Sequence, residues 1–161
     1  MNTKIFEKAE EMVALLKEKN LKIATAESCT GGMVASYITS VSGVSQVFEL
    51  GVTSYSNDIK NRILKVNAQT LETVGAVSAD TAKQMAENVR DLAKSDIGVS
   101  VTGVAGPAAQ EGHPVGLVYV GFADQNGSFA KVLNIEPQSR NFVREQTVLA
   151  VFDTVINYIK S

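Results

Sequence analysis

Apolar and polar positions alternate along the chain with two different periods. Over residues 3–19, Phe6, Ala9, Met12, Val13 and Leu16 recur at spacings of three and four, so they share one helical face, with lysines and glutamates opposite. Asn20 is a suitable stop for that helix. Residues 21–26 predict a short strand, and residues 32–39 predict a helix whose first turn carries Ser28, Thr30 and two glycines. Residues 44–55, VSQVFELGVTSY, are rich in β-branched and aromatic side chains and predict a strand interrupted at Gly51. Asn57 and Asp58 can cap a helix that runs to about Val66.

A longer helix is predicted over residues 78–94, opened by Ser78 and keeping Ala82, Met85, Ala86, Val89 and Leu92 on one face. The strand predicted at 97–101 runs directly into TGVAGP, residues 102–107. Strands at 117–123 and 129–135 flank Asp124-Gln125-Asn126-Gly127, a hairpin with a favoured Asn-Gly turn, so antiparallel pairing enters the sheet here. The last helix, residues 139–160, aligns Val148, Val151, Phe152, Val155 and Ile159; the same stripe, followed backwards in steps of four, reaches Arg144 and Arg140. This order predicts an α/β fold, a three-layer α/β/α sandwich around a mixed, mostly parallel sheet, as a single domain over 1–161. Ligands in such folds favour the carboxyl ends of strands, where Glu27-Ser28, Tyr55 and Thr102-Gly103 fall.

Composition narrows the function. With 161 residues, 45% hydrophobic and 20% charged, the chain can bury one core. A net charge of −2 without a lysine or arginine run argues against a nucleic-acid partner. The absence of an 18-residue apolar stretch argues against a membrane span, and the charged opening segment does not resemble a signal peptide, so a cytoplasmic location is expected. Cys29 is the single cysteine, and metal-ligand spacings such as CxxC and HExxH are missing, so neither a metal nor another cofactor is expected.

The candidate chemistry begins at AESCTGG, residues 26–32. Unpaired N–H groups at a helix start can hold an oxyanion or a phosphate, and Gly31 and Gly32 leave room for a ligand. Ser28 is therefore either a nucleophile on that turn or, like Thr30, merely a helix cap. Cys29 competes for the nucleophile's role, because a helix N-terminus lowers a thiol pKa, but it equally suits small apolar filler. A histidine triad is disfavoured, since His113 is the only histidine and sits in the polar segment QEGHP. Tyr55 and Lys60 can supply a base instead, if burial keeps the amine neutral or the ammonium favours a phenolate; otherwise they are a strand-end tyrosine and a solvated lysine. TGVAGP matches neither the dinucleotide fingerprint nor the P-loop. Arg140 and Arg144, extending a core stripe, face either a partner carboxylate or a ligand anion.

AESCTGG, TSYSNDIK, GAVS, SVTGVAGP and the later PVG, in this order from about residue 5 to 158, together resemble the nicotinamide-nucleotide amidase family, the C-terminal domain of CinA-type proteins. The resemblance implies hydrolysis of the carboxamide of nicotinamide mononucleotide to nicotinic acid mononucleotide and ammonia, with a nucleotide as small-molecule partner. It implies Ser28 as nucleophile with Tyr55 and Lys60 as helpers. Glu27, Thr30, Gly31, Gly32, Thr102, Gly103 and Gly106 would line the nucleotide pocket, and Arg140 and Arg144 match a basic pair in the family's last helix. N–H groups of the turn at 30–32 are the expected oxyanion donors. The family usually self-associates, so a homo-oligomer, a dimer or a multiple of one, is expected.

Two departures stand out. After AGP the family usually carries Asp-Gly-Gly before PVG, whereas this chain has Ala108-Ala109-Gln110-Glu111-Gly112-His113, which puts one pocket wall and substrate choice in doubt. Many relatives also carry a preceding domain resembling molybdopterin-binding proteins, and the resemblance here concerns the amidase part. The rival readings are a silent nucleotide-binding or sensor module and a general amidase acting on free amides.

Overall fold

A computed structural model describes residues 1–161. In chain order the elements are α1 (Thr3–Lys19), β1 (Ile23–Glu27), α2 (Met33–Thr39), a 3-10 turn (Val44–Gln46), β2 (Phe48–Thr53), α3 (Asn57–Arg62), α4 (Ala68–Thr73), α5 (Ala79–Ala93), β3 (Ile97–Gly103), β4 (Leu117–Asp124), β5 (Gly127–Asn134) and α6 (Arg140–Lys160). The sheet has five strands in the order β2-β1-β3-β4-β5. β1 pairs parallel with both β2 and β3, and β4 joins antiparallel to β3 and to β5. The result is the mixed three-layer α/β sandwich the periodicity predicts.

The central strands explain the layering. β1 and β3 are buried along their whole lengths, so both faces need cover. One face is covered by α1, α2 and α6, whose buried residues Met12, Leu16, Val34, Ile38, Val148 and Phe152 join Ile23, Val99, Val101 and Phe122 in the main core. α5 lies across the other face, where Met85 and Val89 meet Ala24, Ala26, Leu64 and Val66. Gly98 in β3 permits this close approach: a Cβ there would stand 2.1 Å from the Ala86 carbonyl oxygen. No helix is long and apolar enough to cross a membrane.

Several boundaries differ from expectation for identifiable reasons. The 44–55 segment divides, because Val44–Gln46 forms the 3-10 turn and β2 starts only at Phe48. The helix expected through Val66 ends at Arg62, capped by the Ser56 hydroxyl rather than by Asn57 or Asp58, and Lys65 in the left-handed region breaks the chain before Val66. Asn67 then caps α4, which lacks an apolar stripe. The hairpin reverses at Gln125 and Asn126, where the Asp124 side chain holds the Asn126 N–H at 2.8 Å; Gly127 is already the first residue of β5. Leu92, expected on the buried face of α5, is exposed near its end.

Candidate active site

β1 delivers the AESCTGG turn to the carboxyl edge of the sheet. The parallel register aligns Glu27 with Thr53 of β2 and with Val101 of β3, so Ser28, Tyr55 and the loop after Gly103 emerge side by side. Ser28 continues the strand locally, its N–H bonded to the Val101 carbonyl at 3.1 Å.

Neither Ser28 nor Thr30 caps the helix. The left-handed Gly32 holds the cap position of α2 without a side-chain bond, and the Glu27 carboxylate takes the helix N–H groups instead. Its Oε2 accepts from Gly32 at 3.1 Å and Val34 at 3.0 Å, and its Oε1 accepts from Ala35 at 2.9 Å. A buried carboxylate at a helix N-terminus is stabilised by these bonds and by the helix dipole. Two expectations change: Glu27 supports the turn from beneath and does not line the pocket, and the N–H groups of Gly31 and Gly32 are committed to Ser28 O and Glu27. The N–H groups of Cys29 and Thr30 donate to no backbone carbonyl.

Freed from capping, the Ser28 hydroxyl accepts from Lys60 Nζ at 3.1 Å. The same ammonium donates to the carbonyls of Ser54, at 2.9 Å, and Tyr55, at 3.3 Å. All three of its protons are thereby used. Lys60 is 1% exposed, among the largest buried side chains, although the short polar helix around it reads as a solvated face. Burial pushes its pKa below the usual lysine value, against opposing contributions from Cys29 and Glu111. Burial pushes the Cys29 thiol up to about 11, which makes it packing rather than a nucleophile at neutral pH.

Tyr55 lies elsewhere than expected. Its side chain is 58% exposed, and its hydroxyl accepts from Arg140 Nη2 at 2.8 Å, while only its backbone carbonyl meets Lys60. Arg140 also donates through Nη1 to the Gly106 carbonyl, so Tyr55, Arg140 and Gly106 form one rim. Arg144 reaches the other side of the serine turn, donating to the carbonyls of Cys29 at 3.2 Å and Thr30 at 2.9 Å. Neither guanidinium enters an ion pair, so the salt-bridge alternative for this pair does not occur.

Between these groups is a cavity of about 240 Å³ with Ser28 and Cys29 at one end, Tyr55 and Arg140 at its rim, and Gly103, Gly106 and residues 105–110 as its wall. Ala108, Ala109 and Gln110, in the segment that departs from the family pattern, therefore line the pocket. Thr102 does not: it is buried and its hydroxyl donates to the Ala76 carbonyl at 2.7 Å. Thr30 is fully buried with its hydroxyl unpartnered. Gly31, Gly32 and Arg144 border a neighbouring open hollow with Met33 and Tyr37. His113 closes a small turn with Gln110 and is not among the residues of the cavity.

Comparison with known proteins agrees with this architecture. The family model described as the CinA C-terminal domain matches residues 6–159. A competence-damage inducible protein of Caldanaerobacter subterraneus is 49% identical over 155 residues, covering 96% of this chain and 37% of the relative. One from Streptococcus pneumoniae is 44% identical over 144 residues, covering 89% of this chain and 34% of the relative. The chain thus spans about a third of the length of these curated relatives. Among solved structures, a competence/damage inducible protein from Agrobacterium tumefaciens superposes with a TM-score of 0.92 at 34% identity, covering 98% of this chain and 96% of that one. A CinA superfamily protein from Klebsiella pneumoniae gives 0.94 at 25% identity, with 99% of both chains covered.

Proposed function

The chain belongs to the CinA C-terminal domain family, and from that premise we propose that it is a serine amidase that hydrolyses the carboxamide of nicotinamide mononucleotide to nicotinic acid mononucleotide and ammonia. The observation that carries the reading is the buried Lys60 Nζ on Ser28 Oγ. In the neutral amine, two N–H groups stay on the Ser54 and Tyr55 carbonyls and the lone pair turns to the serine proton. Lys60 takes that proton as Ser28 Oγ attacks the carboxamide carbon. The tetrahedral intermediate collapses with cleavage of the C–N bond, and Lys60 returns the proton to the leaving ammonia. Water, deprotonated by Lys60, then hydrolyses the ester and restores Ser28.

The oxyanion donors follow from what Glu27 leaves free. The N–H of the residue after a nucleophile is a recurrent oxyanion donor, and here the Cys29 and Thr30 N–H groups are uncommitted. Each such donor is typically worth about 3 kcal/mol in the transition state. Arg140, unpaired at the pocket rim, suits the phosphate, with Arg144 bracing the serine turn. Tyr55 is then a rim residue that orients Arg140.

Ammonia release from nicotinamide mononucleotide, with EDTA present, tests the reading. Wild type is expected to be active and Ser28→Ala to lose at least about a thousandfold in kcat. An inert wild type that still binds the nucleotide in calorimetry favours a silent binding module, a role the altered segment 108–113 could support. Equal turnover of free nicotinamide favours a general amidase.

A further inference from the structure

The pocket wall is fastened at a point no part of the proposed chemistry uses. Glu111 is at the tip of the tight turn closed by Gln110 and His113, whose N–H groups bond each other's carbonyls at 3.2 and 2.8 Å. Both tip residues have positive φ, 51° at Glu111 and 75° at Gly112. Glutamate in the left-handed region is uncommon. Its carboxylate reaches the segment before α5, where Oε1 accepts from Ala76 N at 3.3 Å and Oε2 from Val77 N at 3.2 Å.

The receiving segment is built for this contact. A Cβ at Gly75 would lie 2.5 Å from Glu111 Oε2, so a side chain there would oblige the carboxylate to shift. The segment is fixed from its other side as well. Thr102 donates to Ala76 O, and Ser78 and Thr81 donate to Gly75 O at 2.9 and 2.7 Å. Successive amides on a braced segment make a rigid anion seat.

We propose that Glu111 is a positioning residue of the site: seated on the Ala76 and Val77 amides, it clamps the wall bearing Ala108, Ala109 and Gln110 over Ser28. The inference rests on the amidase reading for its kinetic consequence.

The test compares wild type with Glu111→Gln and Glu111→Ala. Glu111→Ala is expected to raise KM about tenfold with kcat changed less than about threefold, since the wall and not the reacting pair is disturbed. Glu111→Gln keeps one amide-bonded oxygen and should hold KM within about threefold of wild type. A KM unaltered in Glu111→Ala, or a kcat that falls as far as kcat/KM, overturns the assignment. Amide hydrogen exchange separates the clamp from the chemistry: Ala76 and Val77 should be protected in wild type and exchange at least about tenfold faster in Glu111→Ala. If wild type releases no ammonia, the amidase reading fails; unchanged protection at these two amides overturns the clamp itself.

Discussion

At the scale of single residues, the proposed amidase reaction makes Lys60, bonded to Ser28, a base whose availability depends on pH. Burial lowers the Lys60 pKa, so kcat/KM should climb as pH rises through that lowered value, a limb absent from Lys60→Met, which should also lose at least about a thousandfold in rate. A pH profile of ammonia release checks both. Tyr55 behaves differently from what the sequence suggests for a tyrosine five residues before the lysine. With its hydroxyl on Arg140 and not on Ser28 or Lys60, Tyr55→Phe should raise KM several-fold and leave kcat within about twofold. Steady-state kinetics showing the reverse split would return the tyrosine to the proton path. Ser28 and Arg140 were legible as candidates because serine before two glycines, and arginine on a core stripe, are unusual placements. The burial of Lys60 was not, because NDIKNR carries the polarity of a surface helix.

At the scale of elements, the turn that carries Ser28 is held from beneath by Glu27. Three charge-assisted bonds to the first turn of α2 replace the hydroxyl cap that Ser28 and Thr30 suggest. Glu27→Ala should cost about 2–3 kcal/mol, seen as a lowered denaturation midpoint, and Glu27→Gln less, since one oxygen remains. Because the same bonds fix the turn, both variants should lose rate as well; a Glu27→Ala protein of full stability would refute the capping role. The helices and strands with a clear period, α1, α5, α6 and the buried strands, were legible from their apolar spacing. α4 was not, since AQTLET has one large apolar side chain, and the cap by Glu27 was not, since it is made by a strand residue with its own strand's successor helix. Thr102, expected to open the loop after a strand at 97–101, lies within β3, which runs on to Gly103, and its hydroxyl turns away from the pocket to Ala76, a contact between segments 26 residues apart that no local pattern encodes.

For the whole molecule, the site sets function against stability. Lys60 is shielded from water and meets only a hydroxyl and two carbonyls as direct partners, without a carboxylate in an ion pair. Desolvating an ammonium in this way opposes folding, and a group whose folded pKa is depressed contributes stability above its unfolded pKa that is lost as pH falls through the folded one. Between the lowered pKa and the usual 10.5, wild type should therefore gain stability as pH rises. Lys60→Met has nearly the same length and adds no charge. It should be more stable than wild type by about 1–2 kcal/mol at neutral pH, or about 3–6 °C in Tm for a chain of this size. The advantage should shrink as pH rises through the lowered pKa, above which the wild-type amine folds neutral. Differential scanning calorimetry at pH 6, 7.5 and 9.5 reads both effects. A Lys60→Met protein less stable than wild type at every pH would mean that the three hydrogen bonds of the ammonium outweigh its desolvation, and that the site holds a charged lysine rather than a base.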